Sequence, residues 1–314
     1  MNFRLKLVPD HTDFKFVKYR HIAVGISVVI MILSVILMFT KGLNFGIDFR
    51  GGTVMEVASQ QPIDIADMRS RLNGLGLGEV QLQKFGGDNN VLIRVGAHAT
   101  ETAQQSQAGI DKIKAELGSG IEYRRIETVG PQVSGELVWS ATMAVVVSIA
   151  LMFAYIWFRF EWQFGLGAVL ALAHDVLATI GVFSLMQFEF NLTTIAALLT
   201  IVGYSMNDTV VVFDRIRESL RKYKKMDLGE LIDLSINDTL SRTIMTSVTT
   251  LLALLALFIF GGEVISSFTF AMIFGILIGT YSSIFVAAPV LIWIGVKRDW
   301  GSIAPKGAAA KSTS

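Results

Sequence analysis

Residues 192–213 read LTTIAALLTIVGYSMNDTVVVF. The run is long enough to cross a hydrocarbon core, which takes about 20 apolar residues. One charged side chain, Asp208, interrupts it. Placing that carboxylate in hydrocarbon costs at least about 2.5–3.5 kcal/mol, and such groups mark ion pathways often enough to be the default hypothesis. The stretch therefore predicts a membrane-spanning helix and a position where chemistry is to be sought.

Five further runs flank it. Ile22–Thr40 and Val138–Phe158 carry no charge, and Gln163–Leu185 is broken only by His174 and Asp175. Thr243–Phe260 is the shortest. Val264–Val296 is too long for one straight span and too short for two, so it reads as one tilted helix disturbed near Pro289. The fold class predicted is an α-helical polytopic membrane protein with six transmembrane helices. Composition agrees: 52% of the 314 residues are apolar and only 17% charged, against about 25% charged in soluble domains, with a mean hydropathy of +0.55.

The chain has no cysteine, which excludes disulfides, thiolate metal sites and a cysteine nucleophile. A net charge of +1 leaves no bulk basic field for nucleic acid. The glycine-rich run Gly74–Gly78 lacks the lysine and the following helix of a phosphate-binding loop. Uphill transport would have to draw on an ion gradient or a partner.

Lys15, Lys18 and Arg20, with Arg4 and Lys6, precede the first run as they would in a signal peptide. The run exceeds the usual 7–15 apolar residues, however, and no small-residue cleavage site follows it, so an uncleaved anchor is expected. Orientation follows from the short loops. The N-terminal arm (1–21) is basic. The loop after the fourth run carries Arg215, Arg217, Arg221, Lys222, Lys224 and Lys225, and the end of the chain carries Lys297, Arg298, Lys306 and Lys311. Residues 187–191 and 261–263 carry no Lys or Arg. Both termini are therefore expected in the cytoplasm of a bacterial inner membrane, including a polar tail at 299–314.

This places residues 41–137 outside as one small α+β domain. Thr53–Ala58 reads as a strand and Asp64 as the N-cap of a helix stopped by Gly74–Gly78. Val80–Phe85 and Val91–Val95 alternate around a Gly86–Asn90 turn. A helix from about Thr102 to Leu117 and a strand at Ile121–Val129 complete a ferredoxin-like βαββαβ pattern. The remaining spans fall within 138–298, with an amphipathic cytoplasmic segment at 218–241. There Leu228, Leu231, Ile232 and Ile236 predict a short helix on the membrane or against the bundle.

Asp208 lies five residues before the end of its run, about 8 Å from the cytoplasmic boundary at ~1.5 Å per residue. Arg242 stands at the cytoplasmic start of the fifth span, at a compatible depth. The two predict a buried salt bridge that either couples a proton to helix movement or fixes helix register. Burial disfavours the charged carboxylate and a nearby guanidinium favours it, so one rearrangement could switch its protonation. His174 and Asp175, near the middle of the third span, are either a second proton station or a hydrogen-bonded structural pair. Asn207 and Asp214 are secondary candidates, the latter mainly an interface anchor. Thr243, Thr246, Ser247, Thr249 and Thr250 on the fifth span fit close packing, and Gly275 and Gly279 form a G-x-x-x-G.

Four stretches then resemble a known family. LNFGIDFRGGT (43–53), ALAHD (171–175), VGYSMNDTVVVFDRIRE (202–218) and SINDTLSRT (235–243) are similar, in this order, to motifs of the SecD/SecF proteins, the Asn207–Asp208 pair matching the SecF branch. The resemblance implies resistance-nodulation-division membrane architecture and pairing with SecD in a bundle of twelve spans. It also implies association with the SecYEG channel, often with YajC and YidC, and promotion of late protein-export steps by the proton-motive force. It implies no bound cofactor, the driver being an H⁺ or Na⁺ gradient. By position it makes Asp208 and Arg242 the proton-relay residues, acting with a SecD carboxylate that this chain lacks. The alternatives are a passive scaffold for SecD, half of a small-molecule proton antiporter of the same architecture, and an intramembrane protease using Asp175 and Asp208. The protease reading needs the two carboxylates in contact.

Overall fold

The computed structural model describes residues 9, 12–78, 80–84, 87–97, 103–262 and 265–296. The expected tail at 299–314, the basic residues Arg4, Lys6, Lys297, Arg298, Lys306 and Lys311, and the element ends expected at Phe85, Gly86, Thr102 and Val264 lie outside the described residues.

Among the described residues, six helices are long and apolar enough to cross a membrane. A 3₁₀ turn at Val17–Tyr19 leads into α1 (Arg20–Thr40). After it come β1 (Asn44–Phe45) and the single turn α2 (Ile47–Arg50). The extramembrane domain is built from β2 (Gly52–Ser59), α3 (Ile65–Asn73), β3 (Val80–Lys84), β4 (Asn90–Gly96), α4 (Ala103–Leu117) and β5 (Ile121–Val129). The bundle then resumes with α5 (Pro131–Arg159) and α6 (Trp162–Met186). A two-residue strand, β6 (Glu189–Phe190), precedes α7 (Leu192–Lys222) and α8 (Leu228–Phe260). The last rod is α9 (Ser266–Ser282), a π-helical turn at Ser283–Ala287, and α10 (Ala288–Ile294). The π turn sits where the disturbance was expected. Pro289 has no N–H to donate, and its ring crowds the carbonyl four residues earlier, so the helix widens just before it.

The domain is a four-stranded antiparallel sheet in the order β3-β4-β2-β5. Asp64 caps α3 as expected, its Oδ1 accepting from the N–H groups of Ala66 and Asp67 at 2.8 and 3.2 Å. Met68 and Leu72 of α3 and Ile110 and Ile113 of α4 cover one sheet face, over Met55, Val57, Val91 and Ile93. Entry into β2 requires Gly52. Its φ is +128°, and a Cβ there would run into the backbone of β4 at Val95–Gly96.

Small residues set the helix seams, because close backbone approach is what membrane helices pack with. A Cβ at Gly181 of α6 would come within 2.8 Å of the Cα of Ser34 on α1. A Cβ on Gly275 would collide with Ile201 of α7, and one on Gly279 would sit 3.0 Å from Ser205 Cβ. The G-x-x-x-G is thus the α7–α9 seam. By contrast, α5 buries only Ser134 and Ile156.

The segment at 218–241 is not a separate helix. α7 runs on to Lys222, and α8 starts at Leu228 and continues unbroken into the fifth span. Leu231, Ile232 and Ile236 are fully buried in a core shared with Ile216 and Leu220 of α7. Asp227, accepting from Gly229 N–H at 2.8 Å, starts the helix early.

Domain and bundle meet at a junction built on one side from the stretch 43–53. β1 pairs in parallel with β6, Asn44 opposite Glu189 and Phe45 opposite Phe190. Gly46 N–H donates to Phe190 O at 2.9 Å, and Leu192 N–H, at the start of α7, donates to Asp48 Oδ2 at 2.9 Å. Arg94 of β4 makes an ion pair with Glu189. Burial pushes the Glu189 carboxyl above the ordinary carboxylate range; Arg94 and Arg125 oppose that shift, while Asp48 and Glu127 add to it.

Candidate functional site

Asp208 projects from α7 into the interior and is 3% exposed. Its Oδ2 is buried and has no hydrogen-bond partner among the described residues. Arg242, on α8, bears on it electrostatically, but the side chain is exposed and makes no ion pair among the described residues. The buried salt bridge expected from the sequence is therefore not formed. The reason is geometric: Arg242 lies on the outward side of α8, next to the buried Thr243, whose Oγ1 is likewise unpartnered among the described residues. Asn207, the neighbour of Asp208, faces outward.

In a second acidic centre, both carboxylate oxygens have partners. His174 Nδ1 lies 2.9 Å from Asp175 Oδ1, and both residues are wholly buried. Asp175 Oδ2 accepts from Ser205 Oγ of α7 at 2.5 Å and from Ser282 Oγ of α9 at 2.8 Å. One carboxylate thus pins three helices. Gly279 makes the space, since a Cβ there would lie 3.5 Å from Asp175 Oδ2. The His174 ring lies 6.0 Å from that of Tyr281, whose hydroxyl donates to Ala23 O of α1 at 2.7 Å. His174 Nε2 is buried without a partner among the described residues.

The two centres are neighbours through α7. Ser205 and Asp208 are three residues apart, so they share a face one turn apart. The structure brings together His174, Asp175 and Ser205, and sets Asp208 beside them with Arg242 at its outer side. It keeps Asp214 apart, where Arg159 Nη2 donates to both its oxygens at 2.7 and 2.8 Å at the end of the bundle away from the domain. No hydrogen bond joins the carboxyls of Asp175 and Asp208 among the described residues, so the contact a carboxylate dyad needs is not made.

Ser205 and Ser282 are partners of Asp175 that residue-type reasoning missed. Ser205 could have been found from its position three residues before Asp208, because a small polar residue on the face of an intramembrane acid faces inward too. Ser282 carries no such signal.

Comparisons with known proteins agree with this architecture. Residues 110–297 match the family model described as protein export membrane protein SecD/SecF, C-terminal, and residues 36–63 match the SecD/SecF GG motif. Protein translocase subunit SecF of Cereibacter sphaeroides is 50% identical over 306 residues, covering 95% of this chain and 94% of the relative. SecF of Rickettsia felis is 48% identical over 293 residues, covering 92% and 94%. The crystal structure of SecDF, a translocon-associated membrane protein from Thermus thermophilus, superposes with a TM-score of 0.81 at 36% identity, over 92% of this chain and 39% of that one. SecDF in a super-membrane-facing form gives 0.68 at 36% identity, over 93% and 40%. The chain spans about two fifths of those SecDF chains and nearly all of the curated relatives. On two family models, near-complete relatives and a shared fold, the chain belongs to the SecD/SecF family of protein-export membrane proteins, in its SecF branch of protein translocase subunits.

Proposed function

We propose that this chain works with SecD as the gradient-coupled half of a protein-export complex, Asp208 being the group that takes up and releases the proton. The supporting observation is that the buried Oδ2 of Asp208 has no hydrogen-bond partner among the described residues, while Arg242, the cation bearing on it there, stands exposed at the chain's surface. Such a half-built site fits completion by a group from another subunit.

The chemistry follows from charge. With Asp208 ionised, Arg242 is held toward α7; with a proton on Asp208 that attraction is gone, and the guanidinium turns to another partner. Proton binding thereby shifts α8 relative to α7. One proton moving through about 150 mV releases ~3.5 kcal/mol, which biases a two-state equilibrium by about 300-fold. A sodium gradient would act through the same carboxylate, and the ionophore used in the assay separates the two.

The basic residues at the end of the bundle away from the domain favour an inner-membrane orientation with cytoplasmic termini. The domain then lies in the periplasm, and its strand order β3-β4-β2-β5 with both helices on one face is what a ferredoxin-like unit has. SecYEG, with YajC and YidC, is the assembly on which the complex would act, promoting late export steps.

The test is gradient-dependent export into membrane vesicles carrying Asp208→Asn, with recovery of SecD checked by pull-down. Loss of the gradient-dependent component with assembly intact supports the proposal. Unchanged export assigns the chain a scaffold role and moves coupling to SecD.

A further inference from the structure

α5 is the helix least covered by its own chain, and near the domain it stands off from α7. The gap is a groove of about 410 Å³, within the size range of small-molecule sites. Phe49, Val138, Val145, Phe190 and Ile195 line it. Thr142 also lines it, but its Oγ1 is already satisfied by Val138 O at 2.8 Å, so the wall makes no polar demand on an occupant. Among the described residues, the one charged lining residue is Arg50, the last residue of α2. Its guanidinium lies 5.9 Å from the Phe45 ring and has no ion pair or hydrogen bond among the described residues.

Depth assigns the two ends of the groove to different solvents. Trp139, 66% exposed on α5, and Lys41, just past α1, mark the headgroup level. From Val138 to Val146 the groove descends about 12 Å into the apolar band at ~1.5 Å per residue. A cation at the lip and hydrocarbon below is the complement of one molecule class. We propose that this groove binds an anionic phospholipid of the leaflet on the domain side, an acyl chain between α5 and α7 and the phosphate on Arg50.

The experiment uses the full chain with its SecD partner in phosphatidylcholine nanodiscs, doped with phosphatidylglycerol carrying a diazirine on its acyl chain. Adducts are mapped by mass spectrometry. The expected result is saturable labelling of α5 between Val138 and Val146, weakened about tenfold by Arg50→Gln, the scale of one lost charge-assisted contact, and restored by Arg50→Lys. Val145→Trp, which fills the groove with Arg50 intact, should abolish labelling even if Arg50→Gln proves poorly assembled. Equal labelling by a diazirine phosphatidylcholine, insensitive to Arg50, overturns the proposal in favour of ordinary surrounding lipid. A photo-crosslinker at Ala141 that captures SecD instead overturns it in favour of a subunit interface.

Discussion

Asp175 and Asp208 are the same side chain, buried in the same bundle and joined through one turn of α7, yet their surroundings are opposite. Asp175 has a partner on each oxygen and draws them from α6, α7 and α9. Asp208 has a buried oxygen with none among the described residues, and its cation lies at the surface. A buried carboxylate whose bonds are all made holds helices in register; one whose bonds are not made is where a proton or an outside group enters. On the function proposed above, the difference separates a structural acid from a working one.

The largest effect expected is functional and falls on one side of the pair. Asp208→Asn should remove the gradient-dependent part of export, a bias of about 300-fold, while leaving thermal unfolding of the purified complex in place. Equal loss of stability and export would merge the two acids into one structural class. Asp175→Ala should do the reverse: it strands the hydroxyls of Ser205 and Ser282 and the His174 ring, and should destabilise the bundle by about 2–4 kcal/mol, read as a lower Tm in detergent. Asp175→Asn, which keeps an acceptor, should cost less. A stable Asp175→Ala protein that still exports would break the comparison.

The seam that brings Ser205 and Ser282 to Asp175 can be probed without touching a polar group. Gly275→Val overpacks against Ile201 and should cost about 1–3 kcal/mol. If the comparison holds, the stability loss comes with little change in export per assembled complex.

The smallest effect lies outside the membrane, at Glu189. Burial holds its carboxyl above the ordinary range while docked, whereas undocked it titrates near about 4.3. The docked junction therefore binds the proton more tightly. Its stability gain is fully present below the undocked value and is lost as pH rises through the docked one. Acidification should tighten domain docking, and Arg94→Gln should push Glu189 further up and shift the window to higher pH. Spin-label distances between β4 and α7 across pH 4–8 check this, and loosening in acid would mean that the Arg94 pair dominates over burial.

Much of the fold is legible in the sequence because a membrane span declares itself by uncharged length alone. What length does not declare is where a helix stops. α5 begins at Pro131 rather than Val138, and α8 at Leu228 rather than Thr243, because helices continue into water once caps and packing support them. The strand pattern of the domain was readable at Asp64 and in the hairpin, where alternation and capping chemistry act locally. β1 and β6 were not, since two-residue strands carry no period. At the site, both acids were visible as intramembrane charges, but the hydroxyls that complete Asp175 come from distant helices. The outward setting of Arg242 depends on how α8 is rotated, which residue identity does not encode.

The parallel pairing of β1 with β6 has a consequence for biogenesis. Its two strands are separated by the whole domain and by α5 and α6, so at 5–20 residues per second roughly 7–30 s of synthesis pass between them. The sheet β3-β4-β2-β5 has all its strands well before that and can fold as soon as β5 crosses. The clasp beneath it has to wait for α6 to insert and deliver β6. Attachment of the domain to the bundle is therefore a late event in the life of the nascent chain, and until α5 inserts, α1 holds the emerging domain by a single tether.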